Sequence, residues 1–230
     1  MTVSRALADP RRLRRFVAFL RPAKTDCILD IAPGQGVLAA AFAPRVQEVA
    51  MLGSPAARPR RLDNVTTHDG LPQALPFPDE AFDIVTCGSS FHHLAEPRAA
   101  LAEMARVCRR GGRVALEDIV ASEQAARARY QNRLERLRDR SHPGYLRLSD
   151  YVSLLGEAGI PLRQVLVHDL PREFNEWLIG ARPSPQRVEH IRRLMVGAVE
   201  SDLSGLNIRP LDDTVVFTQR LAWLVATKPE

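Results

Sequence analysis

The sequence predicts an α/β fold built on a doubly wound, mostly parallel sheet. Two observations predict it. Strand-like and helix-like stretches alternate through the first half of the chain, the pattern of strands joined by crossover helices. The earliest such unit is complete within a short span. The apolar run Cys27-Ile28-Leu29 ends in the carboxylate of Asp30, the turn Ile31-Ala32-Pro33-Gly34-Gln35-Gly36 follows, and Val37-Leu38-Ala39-Ala40-Ala41-Phe42 reads as a helix. Gly34 and Gly36 remove Cβ atoms that would keep a ligand off the backbone. The helix after them aims its unpaired N–H groups into the same space.

With 230 residues, 45% of them hydrophobic, the chain can bury the core of one α/β domain with a small addition. No apolar run approaches the roughly 20 residues that span a bilayer, and the first residues lack a signal peptide's apolar centre. A cytoplasmic protein is expected, without a membrane partner. Cys27, Cys87 and Cys108 are odd in number and form no Cys-x-x-Cys, so free thiols are expected and no metal site. The net charge is +5, carried almost wholly by arginine; Lys24 and Lys228 are the only lysines. Aromatics are only 6%, too few to interleave with the basic residues as a nucleic-acid surface requires, so nucleic acid is not an expected partner.

Taken in order, residues 11–20 are amphipathic at helical spacing. The pattern suits an anionic membrane surface, but the expected use is a packing helix laid on the sheet and ended by Pro22. Residues 46–52 read as a second strand closed by Gly53-Ser54-Pro55. Residues 56–61 contain Pro59, so no regular helix is expected there. A third strand over 65–68 ends at Asp69-Gly70, and a proline-rich loop fills 71–78. A fourth strand, 82–87, opens into Gly88-Ser89-Ser90-Phe91-His92-His93-Leu94. Residues 97–110 read as a helix, with Pro97 in its first turn and Gly111-Gly112 ending it. The fifth strand is 113–118. Residues 122–140 are charged and helical, 141–145 turn the chain, and Ser149 is expected to cap a helix that ends near Gly159. Residues 163–168 and 214–226 are late strands, with helices over 171–181 and 186–202 between them. The expectation is one domain over 1–230, with helical lid elements at 122–158 and 171–204.

Ligands of such sheets lie at the carboxyl ends of the strands. Asp30, Leu52, Asp69, the 89–93 loop and Glu117-Asp118 all fall on that edge. At this point the residues resemble a known family. Leu29-Asp30-Ile31-Ala32-Pro33-Gly34-Gln35-Gly36 resembles the first motif of class I S-adenosylmethionine (SAM) methyltransferases. Ala74-Leu75-Pro76-Phe77-Pro78-Asp79, Phe82-Asp83-Ile84-Val85-Thr86-Cys87, Phe91-His92-His93-Leu94 and Arg109-Arg110-Gly111-Gly112-Arg113-Val114 match the middle section in order. Together they resemble the ubiquinone/menaquinone-type C-methyltransferases and their small-molecule relatives. Leu137-Arg138-Asp139-Arg140-Ser141-His142 and the C-terminal strand are similar as well, so the likeness runs over nearly the whole chain.

The resemblance implies a seven-stranded, Rossmann-like methyltransferase fold with a helical lid, and SAM as cofactor. Asp30, Gly34 and Gly36, with Ala32 in the same turn, match positions around the methionine end of SAM. Asp69 is similar to the acid that receives the adenine amino group, and Ser89 to the loop residue beside the cofactor. The chain departs from the family in two places. Leu52 stands where an acid accepts hydrogen bonds from both ribose hydroxyls, an interaction worth about 1.5–3 kcal/mol. The helix that normally follows is nearly absent from residues 55–62, so SAM binding stands open and a partner chain, in a homo-oligomer or as a small partner protein, is one way to rebuild the wall.

With SAM bound, the protein has to align a nucleophile and remove a proton. His92 and His93 follow the fourth strand, where substrate belongs, and an imidazole titrates near neutrality; one is expected to be functional and the other structural. Glu117 or Asp118 is suited to accept a substrate proton or bind an amine. Tyr130, Arg133, His142, Tyr145 and Arg147 lie in the lid stretch as candidate substrate contacts, arginine being suited to a carboxylate, phosphate or sulfate. Trp177 is expected to pack the lid. The function these features favour is methyl transfer from SAM to a small natural-product or quinone-like molecule. Leu52 and the eroded helix keep two alternatives: an enzyme of the same fold that closes a ring or performs an internal displacement, such as aziridine formation, without SAM; and a non-catalytic partner protein.

Overall fold

The computed structural model describes residue 7 and residues 9–32, 34–53 and 62–230. Among them are helices α1 (Pro10–Leu20), α2 (Val37–Phe42), α3 (Pro97–Val107), α4 (Ala125–Arg138), α5 (Leu148–Glu157), α6 (Phe174–Leu178) and α7 (Pro185–Gly197). The strands are β1 (Cys27–Ile31), β2 (Glu48–Leu52), β3 (Val65–His68), β4 (Phe82–Gly88), β5 (Cys108–Val120), β6 (Leu162–Glu173), β7 (Arg209–Leu211) and β8 (Thr214–Thr227). Seven of them lie in the order β3-β2-β1-β4-β5-β8-β6, and β7 pairs with β8. The β1–β2, β2–β3, β1–β4 and β4–β5 pairs are parallel and β7–β8 is antiparallel. Chain order reverses between β1 and β4, so the switch point of the sheet lies beside the carboxyl ends of those two strands. No described helix is long and apolar enough to cross a membrane.

The chain forms two compact units. Among the described residues, one contains residues 9–118, Tyr151–Leu166 and Ala222–Glu230; the other contains Leu7, Ile119–Asp150 and Val167–Leu221. In the first, α1 shows how sequence becomes packing. Asp9 accepts the Arg11 N–H at 2.9 Å, Pro10 occupies the first turn, and Arg21 ends the helix in the left-handed region at φ 47°. The helix therefore stops one residue before Pro22. Leu13, Phe16, Val17 and Leu20, at helical spacing, are all buried against Ile28, Val49, Met51, Ile84 and Trp223. Each such side chain contributes about 1.5–3 kcal/mol by leaving water.

The second unit contains most of the lid stretch, and its core is only partly apolar. Leu134, Phe174, Trp177, Ile191, Met195 and Phe217 cluster there. Among them Glu135, 2% exposed, accepts from Trp177 Nε1 at 3.1 Å, from Gln219 Nε2 at 2.8 Å and from Arg138. Arg172 donates in turn to Gln219 Oε1 at 2.8 Å. Meeting its lone pairs in this way offsets the cost of burying an ionised carboxylate. The 122–140 segment, with its dense charge, therefore has a buried polar seam as well as a solvated face.

Several element boundaries differ from the sequence reading. Helix α3 stops at Val107 and β5 begins at Cys108, so Gly111-Gly112 lies within a strand. A β-bulge between Phe82 and Ile84 explains it: Cys108 pairs with Phe82, the register shifts, and Gly111 takes φ 65°. Ser149 does not cap α5. It lies inside that helix, its N–H and hydroxyl donating to Glu123 at 3.1 and 2.7 Å, while Asp150 accepts the Arg147 N–H at 2.9 Å. The helix expected over 171–181 is shorter because β6 runs on to Glu173, whose carboxylate then caps α6. Helix α7 ends at Gly197, and β7 had no separate signal. The broken segment over 56–61 lies outside the described residues. Cys27, Cys87 and Cys108 are free thiols; burial pushes Cys87 well up and Cys108 to about 11.

Candidate active site

The glycine turn lies at the switch point. Ala32, Gly34 and Gly36 all have positive φ, at 54°, 57° and 70°, and Gly36 precedes α2; Pro33 lies outside the described residues. A Cβ at Gly34 would meet nothing within 4 Å, so open space faces the loop. Ala32 is costly in this region, and so is Ser89 at φ 53° at the tip of β4. Both lie at the tips of neighbouring strands, β1 and β4.

Asp30 ends β1 with no exposed surface, and neither carboxylate oxygen has a hydrogen-bond partner. Burial pushes its pKa up, the nearby Ala39 N–H opposes that and the charge of Glu117 adds to it, leaving the group at about 8. Thr86, its register partner on β4, is also fully buried with an unpartnered hydroxyl. A protein rarely leaves such groups unmet. The cationic methionine end of SAM has the charge and donors that this carboxylate lacks, so Asp30 with the open Gly34 turn fits that end of the cofactor. The ribose end fits less well. Leu52 is 3% exposed and packs so closely that a Cβ at Gly70 would lie 2.8 Å from its Cδ1 and 2.8 Å from Pro76 Cδ. Its side chain is core material, and no acid ends β2. Asp69 is exposed just beyond β3.

Glu117 and Asp118 end up on opposite faces of the sheet. Side chains alternate along a strand, and the register sets Glu117 beside Gly88 and Asp30 beside Thr86. Glu117, 1% exposed, accepts from Trp223 Nε1 at 2.9 Å and pairs with Arg12 of α1; the Ser89 hydroxyl lies 3.4 Å from its Oε1. Asp118, fully buried, accepts the His92 N–H at 2.9 Å and the Tyr151 hydroxyl at 3.0 Å, and its other oxygen lies 2.6 Å from His92 Nδ1. Burial pushes Asp118 up, but the His92 charge and the donors from His92 and Tyr151 reverse it, and the group stays below the usual carboxylate range. An ionised Asp118 makes Nδ1 the donor, which fixes the tautomer and leaves the lone pair of the neutral ring on Nε2.

The two histidines are thereby distinguished. His92 is buried in this hydrogen-bonded cluster; His93 is exposed, its ring centroid 4.1 Å from that of His92. Tyr151, Arg12 and Trp223 were not singled out in the sequence. Tyr151 belongs to the apolar stripe of α5 with Leu154 and Leu155, Arg12 to the arginine row of α1, and Trp223 to the C-terminal strand, so each looked like ordinary packing or solvated surface.

The lid candidates are spread through the second unit. The Tyr130 hydroxyl donates to the Leu194 carbonyl at 2.6 Å and ties α4 to α7. Arg133 is exposed. Arg147 forms a bidentate pair with Asp150 at 2.7 and 3.0 Å. His142, 4% exposed, accepts the Gly144 N–H at Nδ1 and meets the Tyr145 ring edge-on at 4.7 Å. Tyr145 is buried; burial and the Glu135 charge push its phenol well up. His142 and Tyr145 are together, Tyr130 is engaged elsewhere, and Trp177 is buried in the core of the second unit.

With that geometry established, comparison with known proteins gives a consistent result. A family model described as a methyltransferase domain matches residues 29–116, from β1 to the middle of β5. The uncharacterized methyltransferase YcgJ of Bacillus subtilis is 33% identical over 177 residues, 73% of this chain and 70% of that protein. Its crystal structure superposes with a TM-score of 0.88 at 26% identity, covering 96% of this chain and 99% of that one. The Bacillus halodurans C-125 protein BH2331 superposes at 0.89 with 27% identity, covering 96% and 100%. The demethylmenaquinone methyltransferase of Deinococcus radiodurans is 35% identical over 100 residues, which spans 39% of this chain and only 41% of that enzyme.

Proposed function

The chain belongs to the methyltransferase-domain family, and from that premise we propose that it is an enzyme transferring a methyl group from SAM to a nucleophilic atom of a small molecule. The observation that carries the reading is Asp30, a fully buried carboxylate with both oxygens unpartnered, beside the open Gly34 turn. When bound, SAM supplies an activated methyl group on a sulfonium. Asp30, Ala32, Gly34 and Gly36 hold its methionine end. Burial holds Asp30 at about 8, and a cation set against it would lower that value and favour the carboxylate, the proton passing to solvent. Ser89 and Asp69 border the rest of the cofactor.

His92 is the general base. Asp118 takes its Nδ1–H, Tyr151 holds Asp118, and Nε2 accepts a proton from the O–H, N–H or activated C–H being methylated. Asp118 remains ionised and stabilises the imidazolium that results. Such a base contributes about 10²–10⁴ in rate. Glu117, bound by Arg12 and Trp223 on the other face, acts on Asp30 through its charge. Natural-product and quinone-like molecules are the substrate classes in view.

Leu52 favours a second reading, in which the same base serves a SAM-independent ring closure or internal displacement. Isothermal titration with SAM and S-adenosylhomocysteine separates the two. Micromolar binding, with label from methyl-labelled SAM appearing in a small-molecule fraction, is the expected result. No heat and no thermal shift at millimolar ligand would remove the first reading and leave the second.

A further inference from the structure

Where the edge of the α1 core stripe meets α2, the surface is apolar at its floor and cationic at its rim. Pro10 and Leu13 of α1, with Val37, Ala40 and Ala41 of α2 and Pro44 just beyond, line a groove of about 640 Å³ of open volume. The α2 side is a helical stripe at i, i+3 and i+4, and two of its members are alanines. The groove has depth because those positions carry nothing beyond a Cβ. Arg14 and Arg45 complete the lining. Both are exposed, and neither has an ion-pair or hydrogen-bond partner among the described residues. Arg11 and Arg15, one turn along the same helix, are also exposed, and Asp9, the neighbouring acid, caps the helix.

We propose that this groove binds a single anionic amphiphile, its apolar chain lying along Leu13, Val37, Ala40 and Ala41 and its acidic head held by Arg14 and Arg45. The relief of the surface decides against a bilayer as occupant. A helix that docks on a membrane projects its apolar side chains outward. Here Leu13 is 4% exposed and the alanines are half-buried, while Arg14 and Arg45 are exposed. That shape admits a chain and offers charge to one head group. The volume lies within the roughly 300–1,000 Å³ of small-molecule sites. Charge decides the sign, since the two guanidinium groups of Arg14 and Arg45 line the groove and no acid does. The site is separate from the His92 cluster, and its occupant touches Val37, the residue that follows the cofactor turn, so binding there bears on the position of α2.

Decanoate, kept below its micelle concentration, is the probe, and decyl maltoside is its neutral counterpart. Titration should give saturable one-to-one binding of decanoate and at least about tenfold weaker binding of the maltoside. Arg14→Glu with Arg45→Glu, two exposed changes that leave the core alone, should weaken decanoate about tenfold or more. Ala41→Phe should fill the groove and abolish binding of both. Equal affinity for the two amphiphiles, or decanoate affinity unchanged in the charge-reversed variant, would overturn the proposal. Co-sedimentation with phosphatidylglycerol vesicles without saturable decanoate binding would overturn it too, in favour of a membrane surface.

Discussion

Asp30 is the residue on which most depends. Its folded-state pKa, about 8, lies above the value of about 3.9 it has in an unfolded chain. The folded protein therefore holds a proton that the unfolded chain has released between these two values. Below pH 4 the group costs folding nothing; the cost grows as pH rises to 8 and is constant above. Asp30→Asn should remove that dependence, so the variant gains relative to the parent by a few kcal/mol between pH 5 and pH 8.5. Urea unfolding at the two pH values measures it, and parallel stability curves would show that Asp30 is ionised throughout. The histidines make the other residue-scale test. His92→Ala should lower methyl transfer about a hundredfold or more with SAM affinity unchanged, because Asp118 orients the His92 ring through Nδ1. His93→Ala should stay within a few-fold. Equal losses in the two variants would mean that the ring pair acts as a unit and that the base assignment is wrong.

Among the elements, β5 had the clearest misreading, and the cause is steric. A Cβ at Gly112 would lie 2.7 Å from the Arg109 carbonyl oxygen, 2.8 Å from Cys108 Sγ and 3.0 Å from the Asp83 carbonyl oxygen. Two of these are backbone atoms that cannot turn aside. The glycine pair that resembled a helix stop in the sequence is required by a bulged strand crossing close to β4. Gly112→Ala should cost at least about 2 kcal/mol in thermal or urea unfolding while leaving SAM affinity unchanged in the folded fraction. Gly34→Ala, where the Cβ enters open space and only the left-handed backbone resists, should cost about 1 kcal/mol and act mainly on SAM affinity. If the two variants melted alike, the contrast between packed and open glycines would be wrong. The helices were legible where their stripes faced one core, as in α1. They were misplaced where a long strand such as β6 ran into a short helix, since a residue's local preference does not say where a ladder ends.

At the scale of the whole molecule, the sheet order and its agreement with YcgJ over 96% of the chain establish the fold, and the proposed use of SAM is tested at the tip of β2. Leu52→Asp puts an acid where the family has one. The variant should tighten SAM by one to two decades, the worth of hydrogen bonds to a charged group. It should also melt lower without ligand, because the leucine is lost from its packing against Gly70 and Pro76. Calorimetry reports the first effect and unliganded unfolding the second. Lower stability with no gain in affinity would point to the SAM-independent reading.

The parallel sheet, the glycine turn at its switch point and the set of ionisable residues along its carboxyl edge were determined by the sequence alone, since hydrophobic period and glycine placement act over a few residues and leave a local trace. The tertiary structure decided how those residues are used. Register and alternation sent Glu117 to Arg12 and Trp223 and Asp118 to His92 and Tyr151, buried His92 while leaving His93 exposed, and turned Leu52 into the core. Each of those outcomes depends on a partner distant in sequence, and a side chain's face, burial and charge are set by the partner that packing brings to it.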